Sequence, residues 1–96
     1  MSTPARDSIR IDFTGARSKD AMLQAVVTAL RFPRHFGMNL DALHDCLTDL
    51  NFSPEGSSIT LVKLARTPAG EAVFQVFRGA ARYWSRQGAK VRLVRE

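Results

Sequence analysis

The sequence predicts a two-layer α/β fold: a three-stranded parallel sheet in the order 1-2-3, with helices packed on one face only. Two observations carry this reading. Segments of strand periodicity and helical periodicity follow one another in the order β-α-α-β-α-β, and strands joined through helices pair in parallel by right-handed crossovers. The strand segments also alternate apolar and polar residues. Parallel sheets covered on both faces run continuously apolar, so alternation implies one buried face and one wet face. At 96 residues the chain can bury one core, and a single domain over 1–96 is expected.

The first strand is read over Ser8–Phe13, with Ile9, Ile11 and Phe13 inward and Arg10 and Asp12 outward. Thr14–Arg17 is a turn. Ser18 suits a helix N-cap with Asp20 in the first turn, and Met22, Leu23, Val26, Val27 and Leu30 repeat at helical spacing until Pro33 stops the helix. Asn39 can cap a second helix over Leu40–Leu50, whose apolar stripe is Leu40, Leu43, Leu47 and Leu50. Asn51–Ser58, with Pro54 and Gly56, reads as a loop.

A second strand follows at Ile59–Lys63, with Ile59 and Leu61 inward and Thr60 exposed. Thr67 before Pro68 marks the start of a third helix, since proline suits the first helical position. Its buried face is Val73, Val76, Phe77, Ala80, Ala81 and Trp84, and Gly88 ends it. Ala89–Arg95 is the last strand, with Val91 and Leu93 inward and Lys90 and Arg92 outward.

Composition is that of an ordinary globular chain, 45% hydrophobic and 24% charged, which argues against disorder over most of its length. No apolar run is long enough to cross a bilayer, and Met1–Asp7 has no apolar signal segment, so a cytoplasmic location is expected. The one cysteine, Cys46, excludes an internal disulfide framework. Charge is unevenly spread. Formal net charge is +5, yet positions 35–62 contain no Lys or Arg and hold Asp41, Asp45, Asp49 and Glu55. That window carries −4 and the remainder therefore +9. The expected molecule is a basic body with one acidic edge.

Catalytic patterns are scarce. There is no glycine-rich phosphate loop and no nucleophile elbow around a serine, so neither an enzyme nor a cofactor is expected. Cys46, next to the Leu43 and Leu47 stripe, reads as a small buried hydrophobe in preference to a thiol nucleophile. Asp41, His44 and Asp45 have metal-ligand spacing on one helix but lack the fourth ligand of a structural zinc site. The acidic stripe Asp41, Asp45 and Asp49 is the stronger signal. It could be a solvated helix face. Aspartate, however, is a poor helix former, and like charges four apart repel. Asp49 near a helix C-terminus also opposes the macrodipole. A local sequence that accepts such costs marks a binding face.

Phe32-Pro-Arg-His-Phe-Gly-Met-Asn-Leu-Asp-Ala-Leu-His-Asp-Cys-Leu-Thr-Asp49 closely resembles the central motif of the barstar family, intracellular protein inhibitors of ribonucleases. Gly70-Glu-Ala-Val-Phe-Gln-Val-Phe-Arg78 resembles the family's last helix, and the element order matches from end to end. The resemblance implies a three-stranded parallel sheet with helices on one face. It also implies that the helix over Leu40–Leu50 and the loop before it enter a nuclease active site. Asp41 and Asp45 would meet the cations that hold RNA phosphate, with Asp45 in the phosphate site. His35, Gly37 and Asn39 match loop contact positions, and His44 matches a contact tryptophan. This sequence departs from the family in carrying Gly79 at an acidic contact position, His35 at a tyrosine position and a positive net charge.

The expected partner is thus a protein, a ribonuclease with a basic active site, and the partner-binding residues are His35, Gly37, Asn39, Asp41, His44, Asp45 and Asp49. Two alternatives stand beside this one. The fold could serve as an interaction module without a ribonuclease partner, or the basic remainder could bind nucleic acid. The second is disfavoured because Arg6, Arg10, Arg17, Arg31, Arg34, Arg66, Arg82, Arg86, Arg92 and Arg95 are scattered, and one Tyr and one Trp offer few stacking platforms.

Overall fold

A computed structural model describes residues 8–32, 39–49 and 58–96. Its elements are β1 (Ser8–Asp12), α1 (Lys19–Leu30), α2 (Leu40–Leu47), β2 (Ser58–Val62), α3 (Pro68–Arg86) and β3 (Arg92–Arg95). The three strands form one parallel sheet in the order β1-β2-β3, as the alternation and element order predict. Ile9, Ile59 and Leu93 stand in one row across it, Arg10, Thr60 and Val94 in the next, and Ile11, Leu61 and Arg95 in the third. α1 lies against β1, α3 against β3, and α2 packs on α3.

Each helix begins where a side-chain cap is available. The Ser18 hydroxyl accepts from the Ala21 N–H, the Asn39 carbonyl oxygen from Ala42 and the Thr67 hydroxyl from Gly70. Each removes one of the orphan donors of a first turn. α1 ends at Leu30 with Arg31 in the left-handed region (φ 56°), before the expected proline stop. α3 ends at Arg86 with Gln87 as its C-cap, and Gly88 (φ 90°) follows, its N–H returning to Ser85 while the Ala89 N–H returns to Trp84. That cap takes up residues assigned above to the last strand, so β3 begins at Arg92 and not at Ala89.

The core gathers Ile11 and Phe13 from β1, Met22, Leu23 and Val26 from α1, Leu43 and Leu47 from α2, Ile59 and Leu61 from β2, and Val73, Phe77 and Ala80 from α3. Arg10, Asp12, Lys90 and Arg92 are exposed as expected. Ile9, Val91 and Leu93 are only half-buried, because they sit on or beside edge strands with a neighbour on one side. Thr60 corrects the expectation: it is 7% exposed. Thr60 is short and stands on the central strand between Arg10 and Val94, with a strand on either side, and Arg10 itself pairs with Glu96 (3.3 Å), the residue after β3.

Two features near α3's start were not read from the sequence. Gly70 is buried, and a Cβ there would collide with the carbonyl oxygen of Ala65. The β2–α3 connection therefore folds back onto the first turn of α3 at a distance only glycine permits. Arg95 falls on the helix-facing side of β3. Its two terminal nitrogens grip the Glu71 carboxylate (3.2 and 2.9 Å), one also reaches the Ala65 carbonyl (3.2 Å), and the guanidinium carbon lies 4.9 Å from the Phe74 ring centroid. The fork geometry suits both carboxylate and ring. Its signal was the two-residue period itself, which puts Arg95 in line with Val91 and Leu93.

Candidate functional site

α2 is an eight-residue helix, too short to hold its shape in water unaided. Its position comes from packing. Leu43 and Leu47 are fully buried, and Leu40, Ala42 and Cys46 pack against the same core. Asn39 fixes its first turn, with a 2.7 Å bond from the Ala42 N–H. At the other end Thr48 turns back, its N–H (3.0 Å) and hydroxyl (2.8 Å) both donating to the His44 carbonyl. The Trp84 indole N–H on α3 donates to the Leu47 carbonyl (2.7 Å) inside the core. A last-turn carbonyl of α2, otherwise unmet, thus holds the helix against the long α3.

The side turned outward carries the polar residues. Asn39, Asp41, His44, Asp45 and Asp49 are all exposed. Asp41 lies in the first turn, where the helix dipole favours a carboxylate. Neither Asp41 nor Asp45 meets a cation among the described residues. Asp49 corrects the stripe: α2 stops at Leu47 with Thr48 as its C-cap, so Asp49 sits beyond the helix and not one turn further along it. The expectation that α2 runs to Leu50 fails: the Asp49 N–H turns to the Cys46 carbonyl (3.4 Å), three residues back, where a continuing α-helix would bond it to Asp45. Two expected contact residues, His35 and Gly37, lie outside the described residues, as do Leu50 and the loop over 51–57.

Cys46 is half-buried beside these carboxylates. Desolvation pushes its thiol above the ordinary range, and the Asp49 and Asp45 charges add to that rise. The thiolate is thereby disfavoured, which fits a packing role better than a nucleophilic one. Among the described residues no three His, Cys, Asp or Glu side chains come together as a metal-binding group. No helix among them is long and apolar enough to cross a membrane.

What the arrangement offers is a short helix fastened to the core that presents two carboxylates without a cation among the described residues, an imidazole and an amide on one exposed face. Such a face can pair with arginine and lysine side chains on another molecule through charge-assisted hydrogen bonds. A search of curated proteins returns no match. Residues 6–96 match the model of the family described as Barstar (barnase inhibitor), which is nearly the whole chain. With the three-stranded parallel sheet in the order β1-β2-β3 and its helices in place, the chain belongs to the Barstar (barnase inhibitor) family.

Proposed function

We propose that this chain inhibits a ribonuclease by seating α2 and the loop before it in the site that holds RNA phosphate. Inhibition of a ribonuclease is the activity the family is named for. The observation that carries the finer reading is the pair Asp41 and Asp45, exposed and without a cationic partner among the described residues, on a helix fastened to the core by Leu43, Leu47 and Trp84. A ribonuclease must gather cations to bind phosphate, and carboxylates held at fixed spacing mimic that phosphate. Asp45 takes the phosphate position and Asp41 flanks it. Asn39, His44 and Asp49 border them, and His35 and Gly37 complete the contact from the preceding loop. The chain itself acts without cofactor or catalysis, in the cytoplasm.

The test is capture from the source organism on immobilised chain, followed by assay of the captured protein on a fluorogenic RNA. The reading expects a small ribonuclease whose activity disappears on addition of an equimolar amount of the chain. A captured protein that cleaves no RNA, or a captured ribonuclease that stays active when saturated, contradicts it.

A further inference from the structure

β1 is an edge strand: β2 pairs with it on one side, and no strand among the described residues covers the other. Such an edge leaves a row of backbone N–H and C=O groups open to a further strand. The Phe13 N–H points to β2, at the Val62 carbonyl (2.8 Å). Backbone groups alternate sides along a strand, so those of Ile9 and Ile11 face β2 as well, and those of Arg10 and Asp12 face outward. An open groove follows this edge, with Arg10, Asp12 and Thr14 on the strand side and Ala21, Ala25 and Ala29 on the α1 side. Edge strands are commonly guarded by charges of one sign, which repel a second copy in any register. β1 instead carries opposite charges two residues apart, both on outward-bonding positions.

We infer that β1 pairs with β1 of a second copy of this chain, antiparallel about a two-fold axis, so that two sheets become one. A two-fold pairing is self-complementary, and its register is set by the residue on the axis. With Arg10 on the axis, arginine faces arginine. With Asp12 there, aspartate faces aspartate. With Ile11 there, Arg10 of each copy faces Asp12 of the other, and each such pair exchanges backbone N–H and C=O bonds. Opposite charges directly across stabilise an antiparallel pair, and like charges oppose it. The same register sets the half-buried Ile9 opposite Phe13 of the second copy. Both charged side chains are available. Arg10 meets Glu96 (3.3 Å) in an exposed pair of the kind that contributes little. Asp12 gives only Oδ1 to Thr14, which leaves Oδ2 without a donor among the described residues. This surface shares no residue with the α2 contact, so the two readings stand or fall separately.

Analytical ultracentrifugation of the full chain under reducing conditions, across concentration and salt, reads the association. The wild type should form a dimer that weakens as salt rises. Arg10→Glu and Asp12→Lys should each weaken it roughly tenfold or more, because each sets like charges opposite one another at both crossings. An equimolar mixture of the two variants should dimerise again, since the introduced glutamate of one then faces the introduced lysine of the other. Amide exchange of the wild type at Arg10 and Asp12 should slow as concentration rises. Should Asp12→Lys unfold by losing its bonds to Thr14, Arg10→Glu and the amide exchange still decide. A wild type that stays monomeric up to about 1 mM overturns the inference. So does a dimer that forms only without reductant, which would run through Cys46, and so does one that neither substitution weakens, which would use another surface.

Discussion

The Trp84 indole N–H and the Leu47 carbonyl oxygen meet at 2.7 Å in the interior, joining the last third of α3 to the final residue of α2. This bond ties the placement of the acidic helix to the stability of the body. Trp84→Phe keeps an aromatic ring but leaves that carbonyl without its donor. We expect a loss of about 1–3 kcal/mol in urea unfolding. Inhibition should weaken as well, since α2 would no longer be held at one angle. Unchanged unfolding would show that water meets the carbonyl at no cost.

Gly70 and Gly79 lie on the same helix and predict opposite signs. Alanine ordinarily stabilises a helix interior relative to glycine by about 0.5–1 kcal/mol. Gly79→Ala meets open space and should show that gain. Gly70→Ala drives a methyl group into the Ala65 carbonyl and should destabilise by about 1–3 kcal/mol, as overpacking does. Thermal melts of the two variants side by side decide this, and a stabilised Gly70→Ala would contradict the close approach.

Acid should release one interaction in particular. The hydrogen bonds from Arg95 hold the Glu71 carboxyl below the ordinary range, assisted by the Arg95 and Arg66 charges. Hydrogen bonds from Thr14 lower Asp12 in the same way. A carboxyl depressed in the folded state adds stability that is present above its unfolded value and is lost as pH falls through the folded one. The melting temperature of wild type should fall as pH drops from about 5 towards 2.5, near and below the unfolded carboxylate range. Glu71→Gln should start lower at neutral pH and fall less steeply. Parallel curves would mean that the pair with Arg95 contributes nothing to folding.

Cys46 should react slowly. Burial and the charges of Asp49 and Asp45 raise its thiol, so alkylation by iodoacetamide at pH 8 should lag behind a free cysteine peptide. Asp45→Asn/Asp49→Asn should speed the reaction without unfolding the chain. Wild-type reactivity equal to that of the peptide would contradict the assigned environment.

Much of the fold was legible because local signals and packing agree in it. Ser18 and Asn39 are read as caps and serve as caps, and Thr67, read as marking a helix start before Pro68, caps α3. The alternation in β1 and β2 puts Ile11 and Leu61 into the core. The misses have physical causes. Thr60 looked exposed because alternation describes one strand, whereas its burial comes from neighbours on both sides. Arg95 passed as one more surface charge because its partners, Glu71 and Ala65, lie far back in the chain. The exposure of Asp41, His44 and Asp45 followed from helical spacing. The truncation of α2 before Asp49 did not, because it shows only in the backbone, where the Asp49 N–H turns back to Cys46.

The most direct test of the α2 reading pairs thermal melting with ribonuclease inhibition for Asp45→Ala, with Leu43→Ala as its counterpart. Asp45 is exposed on α2 and Leu43 is fully buried. Asp45→Ala should keep or slightly raise the melting temperature, since it replaces a poor helix former and relieves repulsion from Asp41. It should weaken inhibition by about 2–5 kcal/mol, roughly thirtyfold to several thousandfold, by leaving cations of the nuclease unpaired. Leu43→Ala should cost the fold about 2–5 kcal/mol while removing no group that touches a partner. An Asp45→Ala chain that melts like wild type and inhibits like wild type would contradict the account.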